Sequence, residues 1–95
     1  MTSKELAKKV SEKMFENNSF SKWLGIELID IDAGSATLNM KVRAEMLNSF
    51  GIMHGGVSYS MADTAMALAS NSHGRKCVAL DTVMSYPVPV HEVFF

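Results

Sequence analysis

The alternation of apolar and polar residues predicts a helix at the start of the chain. Thr2 and Glu5 stand three residues apart, which is the spacing of a capping box. Apolar residues then follow at helical spacing, namely Leu6, Val10, Met14 and Phe15. We therefore expect an amphipathic helix that begins after Thr2 and ends near residues 17–18.

Two runs with strand character follow, after a short turn at residues 21–25 that Gly25 closes. Residues 26–32 are rich in β-branched and apolar side chains. In the second run, apolar and polar residues alternate, and the apolar members are Ala36, Leu38, Met40 and Val42. Because Ala33 and Gly34 break the pattern between the runs, we expect a hairpin with one buried face.

Residues 57–71 are mostly small or apolar, too uniformly for a helix on the surface. They predict a central helix wrapped by a sheet, which is entered from a loop over residues 44–54 and capped at its C-terminus by Gly74. Strand character returns over residues 76–86, before two prolines end regular pairing. The pattern predicts one α+β domain over residues 1–95.

The composition narrows the classes of partner. Nine Lys and Arg residues nearly balance ten Asp and Glu residues and are scattered, so no basic face indicates nucleic acid or an anionic membrane. No apolar run approaches the roughly 20 residues that span a bilayer, and residues 1–10 lack the apolar core that a signal peptide requires. We therefore expect a cytoplasmic protein. We also expect it to form oligomers, because so short a chain has a marginal hydrophobic core.

Cysteine and histidine usage gives no indication of a metal site. Cys77 is the only cysteine and lies in an apolar alternating run, so we expect a buried structural thiol rather than a nucleophile. His54, His73 and His91 lack metal-ligand spacing. We therefore expect neither a metal nor another cofactor.

Asp63 is the most informative candidate for chemistry. It lies about two turns into the helix that the pattern predicts to be buried, where an unpaired carboxylate is costly. One interpretation is a hydrogen bond to a neighbouring loop, which composition alone favours at least as much as catalysis. The other is a general base or nucleophile whose reactivity its apolar surroundings adjust.

The His54-Gly55-Gly56 turn is the second candidate. Free N–H groups at a helix N-terminus, open to approach because glycine has no side chain, suit a developing oxyanion. Taken alone, the turn is more often only a tight entry into a helix. On a helix that rises about 1.5 Å per residue, Gly55 and Asp63 are roughly 12 Å apart. If both act on one carbonyl, they must come from two subunits.

Two further residues are weaker candidates. Asn48 can donate and accept hydrogen bonds and could orient a substrate carbonyl or a water, although asparagine in a loop is more often a turn residue. Thr64 follows Asp63 and could assist it, although hydroxyls within helices commonly bond back to the preceding turn.

Three segments together resemble the phenylacetate-pathway (PaaI-like) type of hotdog-fold acyl-CoA thioesterase. They are residues 46–56 (MLNSFGIMHGG), 61–65 (MADTA) and 71–74 (NSHG), in the order and spacing of that family. Residues 85–92 look like its next strand and turn. The resemblance covers nearly all of the chain, and it implies a long central helix wrapped by a curved antiparallel sheet.

The resemblance also implies roles for individual residues. Asp63 would activate or deliver the hydrolytic water, and the Gly55 N–H would polarise the thioester carbonyl. Asn48 and His54 would line and orient the site, with Gly56 beside the substrate. The implied protein is a homodimer or homotetramer that binds acyl-CoA, with an aryl or medium-chain acyl group, across the subunit interface.

The chain departs from that family at its C-terminus, where the family continues with a Gly-Asp turn and two further strands. Losing these strands would leave an unpaired sheet edge. A non-catalytic hotdog module that binds acyl thioesters or serves oligomerisation is therefore an alternative. A hotdog dehydratase or hydratase is less favoured, because its Asp/His pairing is not found here.

Overall fold

The computed structural model describes residues 1–91. Helix α1 spans Ser3–Glu16 and carries the predicted capping box: the Glu5 N–H donates to the Thr2 hydroxyl at 3.1 Å, and the Thr2 N–H donates to the Glu5 carboxylate at 3.4 Å. Asn17 caps its C-terminus. The predicted first helix is therefore confirmed at both ends.

The expected turn at residues 21–25 is part of a short helix, α2, which spans Ser19–Leu24. Asn18 caps it, since its side-chain oxygen accepts a hydrogen bond from the Ser21 N–H at 3.1 Å. Gly25 ends the helix with φ of +80°, a left-handed conformation that glycine adopts without a steric penalty.

Strands β1 (Glu27–Asp32) and β2 (Ser35–Asn39) form the predicted antiparallel hairpin. Leu28 pairs with Leu38 and Asp30 with Thr37, so Ile29 is an extra residue that bulges from the ladder. The alternation continues past β2, where Met40 and Val42 are fully buried. A 3-10 turn at Ala44–Met46 then begins the loop that leads to the predicted central helix.

Helix α3 spans Gly55–Asn71 and packs one face on the hairpin and α1, and a hydroxyl contact joins it to α2. Its buried residues, Ser58, Met61, Thr64, Leu68 and Asn71, repeat every three or four positions along this face. The cap residue is Ser72 rather than Gly74. Gly74 stands in the turn beyond it, with φ of +86°.

No strand within the described residues covers the opposite face of α3, which is called its open face below. Only β1 and β2 form a sheet within residues 1–91, and both lie on the inner side of α3. Two strands are too narrow to enclose a helix. Tyr59 and Met66 on the outer face keep 40% and 38% of their surface exposed.

The predicted strand over residues 76–86 was wrong for the single chain. This segment runs along the outer face of α3 without a strand partner, and Val78, Leu80 and Val83 are almost fully exposed. A composition typical of strands favours strand pairing, but residues 76–86 have no neighbouring strand within residues 1–91 with which to form hydrogen bonds. The predicted last turn reaches Glu92, which lies outside the described residues.

Cys77 is exposed, so the expectation of a buried thiol was also wrong. Its backbone is nonetheless held, because the Asn71 side chain bonds both its N–H, at 2.8 Å, and its C=O, at 3.0 Å. Among the helices that the structure describes, none is long and apolar enough to cross a membrane.

Candidate functional site

The site is organised around the N-terminus of α3, where His54 is the cap residue. The Gly56 N–H donates to His54 Nδ1 at 2.9 Å, and the Val57 N–H donates to the His54 carbonyl at 2.9 Å. The His54 N–H donates to the Met46 carbonyl at 2.7 Å, which ties the cap to the preceding turn. Since Nδ1 accepts a hydrogen bond, neutral His54 carries its proton on Nε2.

The Gly55 N–H is a free donor at this helix end. No atom of residues 1–91 accepts a hydrogen bond from it. It lies in the first position of a 17-residue helix, at the positive end of the helix dipole. An oxyanion placed there would gain a donor that the fold does not otherwise use.

Asn48 is fixed in the loop before this helix. Its side-chain oxygen accepts hydrogen bonds from the N–H groups of Phe50, at 2.9 Å, and Ile52, at 3.4 Å. The Asn48 N–H also donates to the Ile52 carbonyl at 2.8 Å. These contacts orient the amide, whose NH₂ group has no acceptor within the described residues. The turn-residue interpretation is therefore correct, and a donor remains for a ligand.

Asn48 and Gly55 line one cavity of about 430 Å³. Its opposite wall is the segment from Tyr86 to Val90, which is anchored at both ends. The Tyr86 hydroxyl donates to the Gly55 carbonyl at 3.1 Å, and the Met53 N–H donates to the Val90 carbonyl at 2.7 Å. The residues of the predicted oxyanion donor and of the predicted orienting amide thus line the same cavity.

Asp63 lies on the open face of α3 and is exposed, so its predicted burial in the single chain was wrong. The described strands cover only the other face of the helix. Asp63 borders two neighbouring cavities, of about 290 and 410 Å³, between α3 and residues 77–84. Their walls are largely apolar, with Tyr59 and Met66 on the helix side.

Thr64, the neighbour of Asp63, points the other way. It is buried, and its hydroxyl lies 3.3 Å from that of Ser21, which joins α3 to α2. Consecutive helical residues are separated by about 100° around the axis, since a turn holds 3.6 residues. Thr64 therefore does not share the open face with Asp63.

Gly55 and Asp63 do not meet within one chain. The Gly55 cavity has no lining residue in common with either cavity beside Asp63. This agrees with the helix geometry, which separates the two residues by roughly 12 Å. Gly55 and Asp63 therefore lie on the same helix but border different cavities.

Tyr86 is the site residue that the sequence analysis did not single out. Its contacts join positions 31 residues apart, and no local periodicity predicts such a contact. Glycine at position 55 was consistent with such a contact, because a residue without a Cβ allows another side chain to approach the backbone closely. Among residues 1–91, no group of three or more His, Cys, Asp or Glu side chains is placed to hold a metal ion.

Known proteins share both the sequence and the fold of this chain. Residues 50–92 match the thioesterase superfamily. The chain is 48% identical over 66 residues to acyl-coenzyme A thioesterase PaaI of Escherichia coli, covering 70% of this chain and 47% of that protein. It is 31% identical over 85 residues to human acyl-coenzyme A thioesterase 13, covering 86% of this chain and 61% of that protein.

Solved structures agree with these matches. The E. coli PaaI protein, from the phenylacetic acid degradation operon, superposes with a TM-score of 0.95 at 37% identity, over 97% of this chain and 67% of that one. A mutant of PaaI from Thermus thermophilus gives 0.74 at 39% identity, over 78% and 64%. The chain spans about half the length of the curated relatives it matches, 47% for E. coli PaaI and 61% for the human protein.

The fold that carries Gly55 and Asp63 is thus shared with the E. coli protein over nearly the whole chain. The resemblance drawn from residues 46–74 is confirmed, and so is the α+β hotdog class. This chain belongs to the thioesterase superfamily and, within it, to the PaaI-like hotdog proteins.

Proposed function

We propose that this chain carries the catalytic residues of an acyl-CoA thioesterase, which hydrolyses an aryl- or medium-chain acyl-CoA to the free acid and coenzyme A. The observation that carries the proposal is that Gly55, whose N–H has no acceptor within the described residues, lines a cavity together with Asn48, whose amide is oriented by its own loop. A preorganised donor at a helix N-terminus stabilises the charge that develops on a thioester carbonyl. Two relatives, E. coli PaaI and the human protein, are named as acyl-coenzyme A thioesterases.

The chemistry needs one more group, a carboxylate, and Asp63 is the residue proposed for it. As a general base, Asp63 takes a proton from water while the water oxygen adds to the carbonyl carbon. The C–S bond then breaks, the thiolate leaves as coenzyme A, and the acid remains. As a nucleophile, Asp63 would attack the carbonyl itself, and water would then hydrolyse the resulting anhydride. Neither route needs a metal or an organic cofactor.

The site is proposed to lie between two copies of the chain, in a homodimer or a homotetramer. The support is that Gly55 and Asp63 open onto different cavities of one chain, so one thioester cannot reach both. A second copy facing the open side of α3 would bring its own Asp63 to the Gly55 of the first. Covering that face would also remove water from around Asp63, which strengthens its interactions with the reacting atoms.

The remaining site residues have supporting roles in this proposal. His54 presents its Nε2–H to the substrate, because its Nδ1 is occupied by the Gly56 N–H. Asn48 offers its amide NH₂ to the thioester carbonyl or to the water. Gly56 permits close approach, while Thr64 acts through the core by its contact with Ser21. The reaction is proposed to take place in the cytoplasm.

A second candidate is a module that binds an acyl thioester or serves oligomerisation without hydrolysis. The observation in its favour is the same separation, since in a lone chain Gly55 and the Asp63 carboxylate border different cavities. Such a chain would bind acyl-CoA and release no thiol. The two candidates therefore differ in a single measurable product.

The test is release of free coenzyme A from phenylacetyl, hydroxyphenylacetyl and medium-chain acyl-CoA by the purified chain and by Asp63→Asn. Glu12→Gln, an equivalent loss of one exposed carboxylate on α1, is the matched control. Exposed Cys77 would react with thiol reagents, so free coenzyme A is quantified by chromatography. We expect turnover that Asp63→Asn loses and Glu12→Gln keeps. Binding without release by the unmodified chain would favour the second candidate.

A further inference from the structure

Tyr86 makes two different contacts with the proposed oxyanion donor. Its hydroxyl donates a hydrogen bond to the Gly55 carbonyl at 3.1 Å. Its ring lies against the Gly55 Cα, since a Cβ built there would stand 3.3 Å from ring carbons Cε1 and Cζ. Tyr86 thus packs on Gly55, and both residues line the same cavity.

The hydrogen bonds continue through the next peptide unit to His54. The Gly55 carbonyl and the Gly56 N–H belong to the same peptide group, and that N–H donates to His54 Nδ1. Donation to a peptide oxygen polarises the group and makes its N–H a better donor. Tyr86 therefore strengthens the contact that keeps the His54 proton on Nε2 and its Nε2–H available for a ligand.

The segment that carries Tyr86 is held on both sides of it. Asn71 bonds the backbone of Cys77 at the start, and the Met53 N–H bonds the Val90 carbonyl at the end. Tyr86 is thus placed by anchored backbone, although the residues between the anchors make no ladder. An anchored side chain can restrain the Gly55-Gly56 turn, whereas a free one could not.

From these contacts, the geometry points to Tyr86 as a positioning residue for the proposed hydrolysis. It holds the Gly55-Gly56 peptide so that the Gly55 N–H keeps its direction into the cavity and His54 keeps its tautomer. The inference rests on the proposed function, because it assigns Tyr86 to the same site. Tyr86 acts through Gly55 and His54, and it exchanges no proton with the substrate.

Positioning and simple packing predict different kinetics. A hydroxyl that orients an oxyanion donor matters most when charge develops, so its loss lowers kcat. A residue that serves only as a wall of the cavity changes ground-state binding, so its loss raises KM with kcat unchanged. Tyr86→Phe separates the two, because it keeps the ring on Gly55 and removes only the hydroxyl.

The experiment compares Tyr86→Phe with Ser85→Ala in the coenzyme A release assay. Ser85 is the exposed neighbour, and its hydroxyl makes no hydrogen bond within the described residues, so its loss controls for a change on the same segment. We expect Tyr86→Phe to lower kcat roughly three- to tenfold, the worth of one net hydrogen bond, with KM unchanged. Unchanged kcat in Tyr86→Phe, or a change in KM alone, would overturn the inference.

A second measurement keeps this inference separate from the proposed function. The ¹⁵N and amide proton shifts of Gly56 and the ring nitrogens of His54 report the hydrogen-bond chain without any turnover. We expect Tyr86→Phe to move both sets of signals and Ser85→Ala to leave them in place. If the unmodified chain releases no coenzyme A, the proposed function fails, and these shifts alone decide the inference. Unmoved Gly56 and His54 signals would then overturn it.

Discussion

Replacement of Gly55 by proline would remove the proposed oxyanion donor with little disturbance of the helix. Proline has no N–H and is favoured at the first position of a helix, where its fixed φ near −65° fits. Gly55 holds this position in α3. The preceding residue, His54, has φ of −59° and ψ of 135°, which is the extended conformation that a following proline requires.

The expected loss follows from the role proposed for this N–H. Removing one donor from an oxyanion site typically lowers kcat by about 10²- to 10³-fold, or about 2.7 to 4 kcal/mol of transition-state stabilisation. A side chain at position 55 has its own effect, because its Cβ would stand 3.3 Å from the Tyr86 ring, which must then shift by a few tenths of an ångström. Gly55→Ala carries the same Cβ and keeps the N–H, so it is the matched control.

The informative quantity is the ratio of kcat between Gly55→Ala and Gly55→Pro, measured by release of free coenzyme A. Circular dichroism and thermal unfolding check that both variants keep the fold. We expect Gly55→Pro to be slower than Gly55→Ala by about 10²-fold or more. A ratio below about threefold, less than one hydrogen bond is worth, would refute the assignment of the Gly55 N–H.

Two further predictions concern stability. Thr64→Val leaves the buried Ser21 hydroxyl without its partner, so the free energy of unfolding in urea should fall by about 1 to 3 kcal/mol. Adding Ser21→Ala should recover part of this loss, and additive losses from the two substitutions would contradict the prediction. The Lys4 ammonium lies 3.0 Å from the Asp30 carboxylate and lowers the pKa of Asp30 below its ordinary 3.8. The pair therefore stabilises the fold above pH 3.8, and this contribution is lost as the pH falls through the lowered pKa. The difference in unfolding free energy between the unmodified chain and Asp30→Asn should therefore shrink below about pH 4, and a difference independent of pH would contradict the assignment.

Features that depend on neighbouring residues were predictable from the sequence. The Thr2 and Glu5 box forms because both partners lie within one turn. The hairpin follows from the β-branched and apolar residues before Gly34, where φ is +80°, and from the alternation after it. The free N–H of Gly55 follows equally from its place at a helix N-terminus, since the first turn of any helix leaves such groups unpaired.

Features that depend on distant partners were not predictable in the same way. The apolar character of residues 57–71 predicted burial all round, but the described strands supply cover for one face of α3 only, so Asp63 is exposed. Residues 76–86 have the composition of a strand, but they form none because a strand must pair with the edge of another strand. Tyr86 reaches Gly55 through the tertiary path of that segment, which periodicity does not encode.

The central claim is that Gly55 of one copy and Asp63 of another act on the same thioester. Mixing the inactive variants Asp63→Asn and Gly55→Pro tests it directly, after subunit exchange. In each mixed dimer one site carries both changes and the other carries neither, so an equal mixture should regain about a quarter of the unmodified activity. Each variant alone, exchanged with itself, is the control. A mixture as inactive as its components would contradict a site shared between two copies.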